Sequence, residues 1–266
     1  MQANILREEL LAKTGSTEFL PTFGAILNEL LSIVNDSNAS VEELLDIVKR
    51  DFAITAKIIR VANSAYYSRG SVITDLKRAM MRIGFDGTAN IIVCMGFLKE
   101  ILNQWKLSRL DVEALWVHSL AVGNAVKVLN RGAVVHPGKA FTVSILHDIG
   151  KSILYTYGER YRMLIEKARQ ERADICDLEK ESFGIDHQEI GYLLSVNWEM
   201  PEEISRVMKS HHTRGEADSP LHFVYVADAF LDDRAVDLGE EGSLLEREKA
   251  WIMNETNRMS ELIGKA

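Results

Sequence analysis

Ser144-Ile-Leu-His-Asp-Ile-Gly-Lys151 places an adjacent imidazole and carboxylate, His147 and Asp148, inside an apolar stretch, with Gly150 and Lys151 directly after. Neighbouring side chains on a helix point about 100° apart. The pair cannot easily bond to itself, but both members can lean toward one point in a groove. Burying them in an apolar run is costly unless something satisfies them. A metal ion would do so. An Asp capping a helix beside a His that fills a core gap is the competing reading, and the rest of the chain weighs between the two.

Helical spacing governs both flanks. Upstream, Leu20-Pro21 opens a helix carrying Phe23, Ile26, Leu27, Leu30, Leu31 and Val34, and Asn35-Asp-Ser-Asn38 is a polar turn. Ser40-Val-Glu-Glu43 has the form of a capping box. Asp51, Thr74, Asp86 and Asp111 are the expected caps of the next four helices. Arg60, Asn63 and Tyr66-Tyr67 sit where a helix meets a loop. Turn and cap chemistry explains such residues, and a contact surface is the alternative. The helix after Asp111 bears His118 on an apolar stripe, where a lone His is usually a satisfied core residue. His136 precedes Pro137 in a loop and should be exposed. The helix holding His147-Asp148 is expected to run from about Ala140 to Tyr157.

Downstream, helices are expected from about Tyr161 to Ala173 and from Asp177 to Phe183. Asp186-His-Gln-Glu189 then starts another in capping-box style, with His187 in its first turn. Asp186 and Glu189 suit the positive end of the helix dipole, but His187 has no such explanation. A helix opened by Pro201 reaches His211-His212, where cationic imidazoles at a helix C-terminus are a sufficient reading of that pair taken alone. Pro220 starts a helix whose Asp228 is set among Val224, Val226, Ala227 and Phe230, so its charge needs a partner or an ion. Ser243 to Ile263 reads as an amphipathic helix. The expected fold is all-α. Residues 1–102 form an N-terminal helical part and 103–266 carry the polar constellation and the C-terminal helix, as one integrated unit.

A chain of 266 residues that is 47% hydrophobic can bury a large core, as one large domain or two small ones. A net charge of −8 argues against nucleic acid as a general partner. Cys94 and Cys176 show no CxxC spacing, so buried free thiols are expected. The first ten residues lack a signal-peptide core, and no run of about 18 apolar residues is apparent. No membrane association is expected, and the cytoplasm is the default location. The sequence carries no sign of oligomeric state.

His118, His147, Asp148, His187, His211, His212 and Asp228 stand out for their settings, and five of them are among only seven histidines. Such an imidazole and carboxylate set suits transition metals rather than calcium or magnesium. Iron and manganese come first, with zinc, nickel and cobalt also fitting. Seven ligands exceed one tetrahedral site but suit two ions sharing a bridging carboxylate, a device that activates water in phosphoester hydrolysis.

These residues in this order resemble the ligand set of the HD superfamily of metal-dependent phosphohydrolases. The N-terminal half, through Leu20-Pro21, Asp51-Phe-Ala-Ile-Thr55, Arg60-Val-Ala-Asn-Ser-Ala-Tyr-Tyr67 and Ala79 to Gly84, resembles the HDOD branch. The likeness spans about Leu20 to Asp232. It implies an all-α HD-type domain with an N-terminal helical subdomain. It also implies one or two transition metal ions, the first on His118, His147, Asp148 and Asp228, the second on bridging Asp148, His187, His211 and His212. Asp148 and Lys151 would be the catalytic pair, with Lys151 facing water or a substrate phosphate; a solvated lysine is its alternative. The implied activity is hydrolysis of a nucleotide or cyclic nucleotide. The alternative is a non-catalytic signalling module with a structural or sensory metal, acting through a protein partner. The Gly-Tyr-Pro signature of cyclic-di-GMP phosphodiesterases is absent, and Thr213 stands where that branch has a glutamate. Ala114, one turn before His118, adds no carboxylate.

Overall fold

The computed structural model describes residues 2–15, 29–30, 32–33, 40–68, 70–104, 107–132 and 134–264. The expected helix from Leu20 and the turn after it lie outside these, apart from four positions. No strand occurs among the described residues, in keeping with the all-α reading.

Helix α1 (Gln2–Gly15) packs on the later helices α10 and α11. The four-helix group α2 (Val41–Lys49), α3 (Phe52–Ala62), α4 (Leu76–Ile83) and α5 (Phe85–Gln104) follows. Its starts are set by caps. Ser40 and Glu43 complete the capping box of α2, and Asp51 accepts from the Ala53 and Ile54 amides at the start of α3. The cap of α4 is Asp75, not Thr74 as expected. Asp86 does not cap α5; it falls in its first turn. Gly84 alone separates α4 from α5, at φ +89°, a conformation that favours glycine. Asn63 clamps the loop after α3, donating to the Ile59 and Ile73 carbonyls and accepting from the Ile73 amide. Cap and turn chemistry therefore accounts for it.

The central element is α6 (Arg109–Leu129), which α7 (Pro137–Leu146), α13 (Pro220–Leu231) and α14 (Gly239–Gly264) cover. Its cap is Ser108; Asp111 sits one turn in and takes both the Ser108 hydroxyl and a two-pronged contact from Arg162. Gly123 lets α7 approach closely, because a Cβ there would lie 2.8 Å from the Phe141 ring. By length and mean hydropathy alone α6 could cross a membrane, but its sequence is broken by charged and polar residues and 67% of that window is buried inside the protein. It is a core helix. The remaining described α-helices are α8 (Lys151–Leu154), α9 (Glu159–Glu171), α10 (Ile175–Phe183), α11 (His187–Asn197) and α12 (Glu202–Ser210), of which α8 touches α6. Helix α5 packs on α7, so one hydrophobic core runs through both halves.

The helix expected from Ala140 to Tyr157 is broken. Helix α7 stops at Leu146, and residues 147–150 form tight turns, with Ile149 N–H donating to Leu146 O (3.1 Å) and Lys151 N–H to Asp148 O (2.9 Å). The break sits where the chain passes α11. A Cβ on Gly150 would lie 2.0 Å from the His187 carbonyl oxygen, so only glycine fits the crossing.

Candidate metal centre

All seven singled-out residues converge. His118 comes from mid-α6, His147 and Asp148 from the α7–α8 turn, His187 from the first position of α11, His211 and His212 from the end of α12, and Asp228 from α13. All but His118 and His212 fall below a tenth exposed, and most are fully buried.

The two oxygens of Asp148 face different histidines. Its Oδ2 lies 3.3 Å from both His118 Nε2 and His147 Nε2, and its Oδ1 lies 3.4 Å from His187 Nε2 and 3.3 Å from His211 Nε2. Asp228 Oδ1 approaches His118 Nε2 (3.0 Å) and His147 Nε2 (3.5 Å), while its Oδ2 faces His212 Nε2 (3.5 Å). Two sets of donor atoms, His118–His147–Asp148–Asp228 and Asp148–His187–His211, each lie within 4.8 Å of one another. His212 gathers with His211 and Asp228, and also with His187 and Cys176.

Four imidazoles are held in one orientation by what their Nδ1–H groups touch. His147 donates to Ser144 O (2.6 Å), His187 to Glu179 Oε2 (2.6 Å), His212 to Asp174 Oδ1 (2.7 Å), and His211 to the Val207 and Met208 carbonyls (3.2 Å each). Each ring then turns its Nε2 inward, the orientation metal-ligating histidines use. His187 Nε2 and His211 Nε2 stand 3.1 Å apart, and two facing lone pairs need a proton or a cation between them. His147 Nε2, Asp148 Oδ1 and His212 Nε2 have no hydrogen-bond partner although buried. Donors each about 2.1 Å from a shared ion stand about 3.0–3.4 Å apart at ordinary coordination angles, which matches the separations here. The donor set therefore fits a transition metal.

Charge differs across the centre. For His118 and His147 burial alone would favour the neutral ring, but facing carboxylates outweigh it and hold them up at about 10 and about 9. Burial prevails on the other side. With Lys151 nearby it presses His187 to about 3, and it takes His211 to about 4 against the pull of Asp148. Asp148 and Asp228 stay well below the usual carboxylate range, because neighbouring cationic groups overcome their burial. Lys151 is not a solvated lysine: its Nζ donates to Asp148 Oδ2 at 2.6 Å with only 9% of the side chain exposed. Arg234 caps Asp228 Oδ2 at 2.8 Å.

Glu179, Asp174, Asp232 and Arg234 were not singled out in the sequence. Glu179 carries the one available signal, an acid on the buried stripe Ile175–Leu178–Phe183 of α10. Cys176, a buried free thiol as expected, has its Sγ 3.6 Å from His212 Nδ1. Burial keeps it a thiol. His136 is exposed, and His222 pairs with Glu241 away from the centre.

The model of the HDOD domain matches residues 20–214. The chain belongs to the HDOD domain family. Of the seven convergent residues, the matched span includes all but Asp228. A curated relative, an uncharacterized protein of Treponema pallidum (strain Nichols), is 20% identical over 225 residues, which is 80% of this chain but 43% of that protein. The crystal structure of an HDOD domain protein of unknown function from Geobacter sulfurreducens superposes with a TM-score of 0.75 at 21% identity, covering 98% of each chain. A protein of Shewanella amazonensis SB2B, named provisionally as a phosphohydrolase, gives a TM-score of 0.64 at 22% identity, covering 93% of this chain and 97% of its own. At these identities the likeness is one of fold.

Proposed function

We propose that this HDOD chain is a signalling protein whose His–Asp centre holds one or two transition metal ions, iron or manganese foremost, and hydrolyses a phosphoester of a nucleotide or cyclic nucleotide. The observation that carries this reading is Asp148, whose two oxygens each face a separate pair of inward imidazole nitrogens. The first ion would take His118, His147, Asp148 and Asp228; the second would take Asp148, His187 and His211, with His212 at the seam. Bound there, the ions supply water activation near neutral pH and offset phosphate charge. The chain's own groups do the rest. Glu179, Asp174 and the Ser144 carbonyl fix ring orientation, and Lys151 and Arg234 place two cations beside the acids for an anionic substrate.

A second reading, a non-catalytic module with a structural or sensory metal and a protein partner, draws on the same two cations. They already occupy Asp148 Oδ2 and Asp228 Oδ2. Elemental analysis of chelator-free protein tests both readings, and less than about 0.2 metal per chain rejects them, given the affinity of such N/O sites. A phosphoesterase screen of the loaded protein separates them. Turnover supports the hydrolase, and silence across a broad nucleotide panel leaves the module.

A further inference from the structure

A cavity of about 70 Å³ adjoins the centre. Its buried end carries Asp148 and Lys151, beside Arg234. One wall is apolar, from Ile165, Ala168, Ala173 and Ile175. The exposed members of the lining are Ala114 and Arg169, which therefore mark the mouth. Lys151 and Arg234 are paired to Asp148 and Asp228, but Arg169 has no carboxylate partner among the described residues. An unpaired arginine at the lip of a polar cavity, in a chain of net charge −8, points to an anionic ligand.

Size and charge narrow the class. Pockets that enclose a whole small molecule run from about 300 Å³ upward. The enclosed part of this cavity is smaller than that, so a phosphate-sized group fits inside and any larger portion of the ligand projects from the mouth. A phosphomonoester has one substituent to direct out of the mouth and carries close to two negative charges at pH 7. A phosphodiester carries one charge, and its second substituent would have to enter the closed end or the apolar wall. Among side chains of fixed charge, the cations Lys151, Arg169 and Arg234 line the space beside the carboxylates Asp148 and Asp232.

We infer that the cavity selects phosphomonoesters over phosphodiesters, with Arg169 as a specificity-determining residue that holds the phosphate at the mouth. This rests on the phosphoester reading and narrows it to the monoester class, with any nucleoside portion outside the lip between Ala114 and Arg169.

The test is calorimetric titration of the full chain with methyl phosphate and dimethyl phosphate, in metal-loaded and metal-free forms. Methyl phosphate is expected to bind at least about tenfold tighter in both. Arg169→Ala should weaken methyl phosphate by about tenfold, the scale of one lost charge-assisted contact, with metal content unchanged. Arg169→Lys should recover part of that loss. Ala173→Leu, which fills the apolar wall, should weaken methyl phosphate while leaving the metal. Equal binding of the two esters overturns the inference, as does no binding of either, or an unchanged affinity in folded Arg169→Ala. Loss of the hydrolase reading shows elsewhere, as absent metal or absent turnover, and leaves the order of affinities to be read on its own.

Discussion

The two sides of Asp148 use the same ligand type in opposite electrostatic settings. On the Oδ2 side, His118 and His147 also face Asp228, and His118 has Asp232 at 3.6 Å as well. Those acids hold both rings in the charged range. On the Oδ1 side, His187 and His211 face each other and share one Asp148 oxygen, and burial, with Lys151 close to His187, keeps both rings neutral although Glu179 accepts from His187 Nδ1. Depth alone does not set the charge, since His147 is as fully buried as His187 and His211. The first lobe is an anionic bowl already occupied by protons, Lys151 and Arg234. The second is a pair of neutral imidazoles facing each other across 3.1 Å.

The largest expected effect comes from removing what the lobes share. Asp148→Ala should abolish metal at both, whereas His187→Ala should cost only the second. It also strips Lys151 of its close buried partner, so stability should fall by about 3 kcal/mol. Elemental analysis beside urea denaturation reads both effects. Metal content above half that of the parent in Asp148→Ala would reject a shared bridging acid.

Gly150→Ala attacks the joint between the lobes. The new Cβ would meet the His187 carbonyl oxygen at 2.0 Å and the Gly191 amide nitrogen at 2.7 Å, both backbone atoms that cannot swing away. The turn bearing Asp148 and the start of α11 must then separate, at a cost of about 3 kcal/mol or more. A melting temperature within a degree or two of the parent would show that the crossing is looser than described.

How much of this was legible in the sequence follows from what each feature depends on. Caps and amphipathic faces are local, so Ser40, Asp51, Asp186 and Ser243 onward fell close to place. The seven residues of the candidate centre were legible because charged or imidazole groups on apolar stripes are rare. The break at His147 was not, because it is imposed by α11 crossing at Gly150, a contact across 37 residues of chain. Asp75 outcompeted Thr74 one residue away, a margin that local pattern does not resolve. Glu179 and Asp174 matter through contacts with His187 and His212 that only the packing of α10 creates.

Glu179→Gln sharpens the contrast between lobes. It keeps the size of the side chain but replaces the carboxylate that accepts from His187 Nδ1 and from the Tyr161 hydroxyl (2.6 Å each). Affinity for the second metal should drop by about 10- to 100-fold, with the first unchanged. A two-step metal titration followed by calorimetry would show the weaker step moving alone. Equal weakening of both steps would mean that the lobes do not bind independently.

Two buried lysines carry the comparison outside the centre, with the smallest effect. Lys151 is held well above its ordinary range: burial opposes its charge, but Asp148, Asp232 and Asp228 outweigh it. Lys57, 6% exposed on α3, goes the other way, because burial, with Arg60 adding repulsion, lowers it to about 8. Below pH 8 Lys57 is protonated in both folded and unfolded chains, so its burial cost is present in full. Between about 8 and the ordinary lysine value of about 10.4, the unfolded chain binds the extra proton, and raising the pH favours the folded state. Lys57→Met removes the charge while keeping an unbranched apolar stem. It should raise stability at pH 7 by about 1 kcal/mol, discounted from the full shift because the amine is only partly enclosed and solvent screens it. The gain should shrink toward zero by pH 10.5. Urea denaturation of parent and variant at pH 7 and pH 10.5 reads the difference directly, and contributions from other titrating groups cancel between them. A gain that stayed constant across the two pH values would assign the effect to packing rather than to charge.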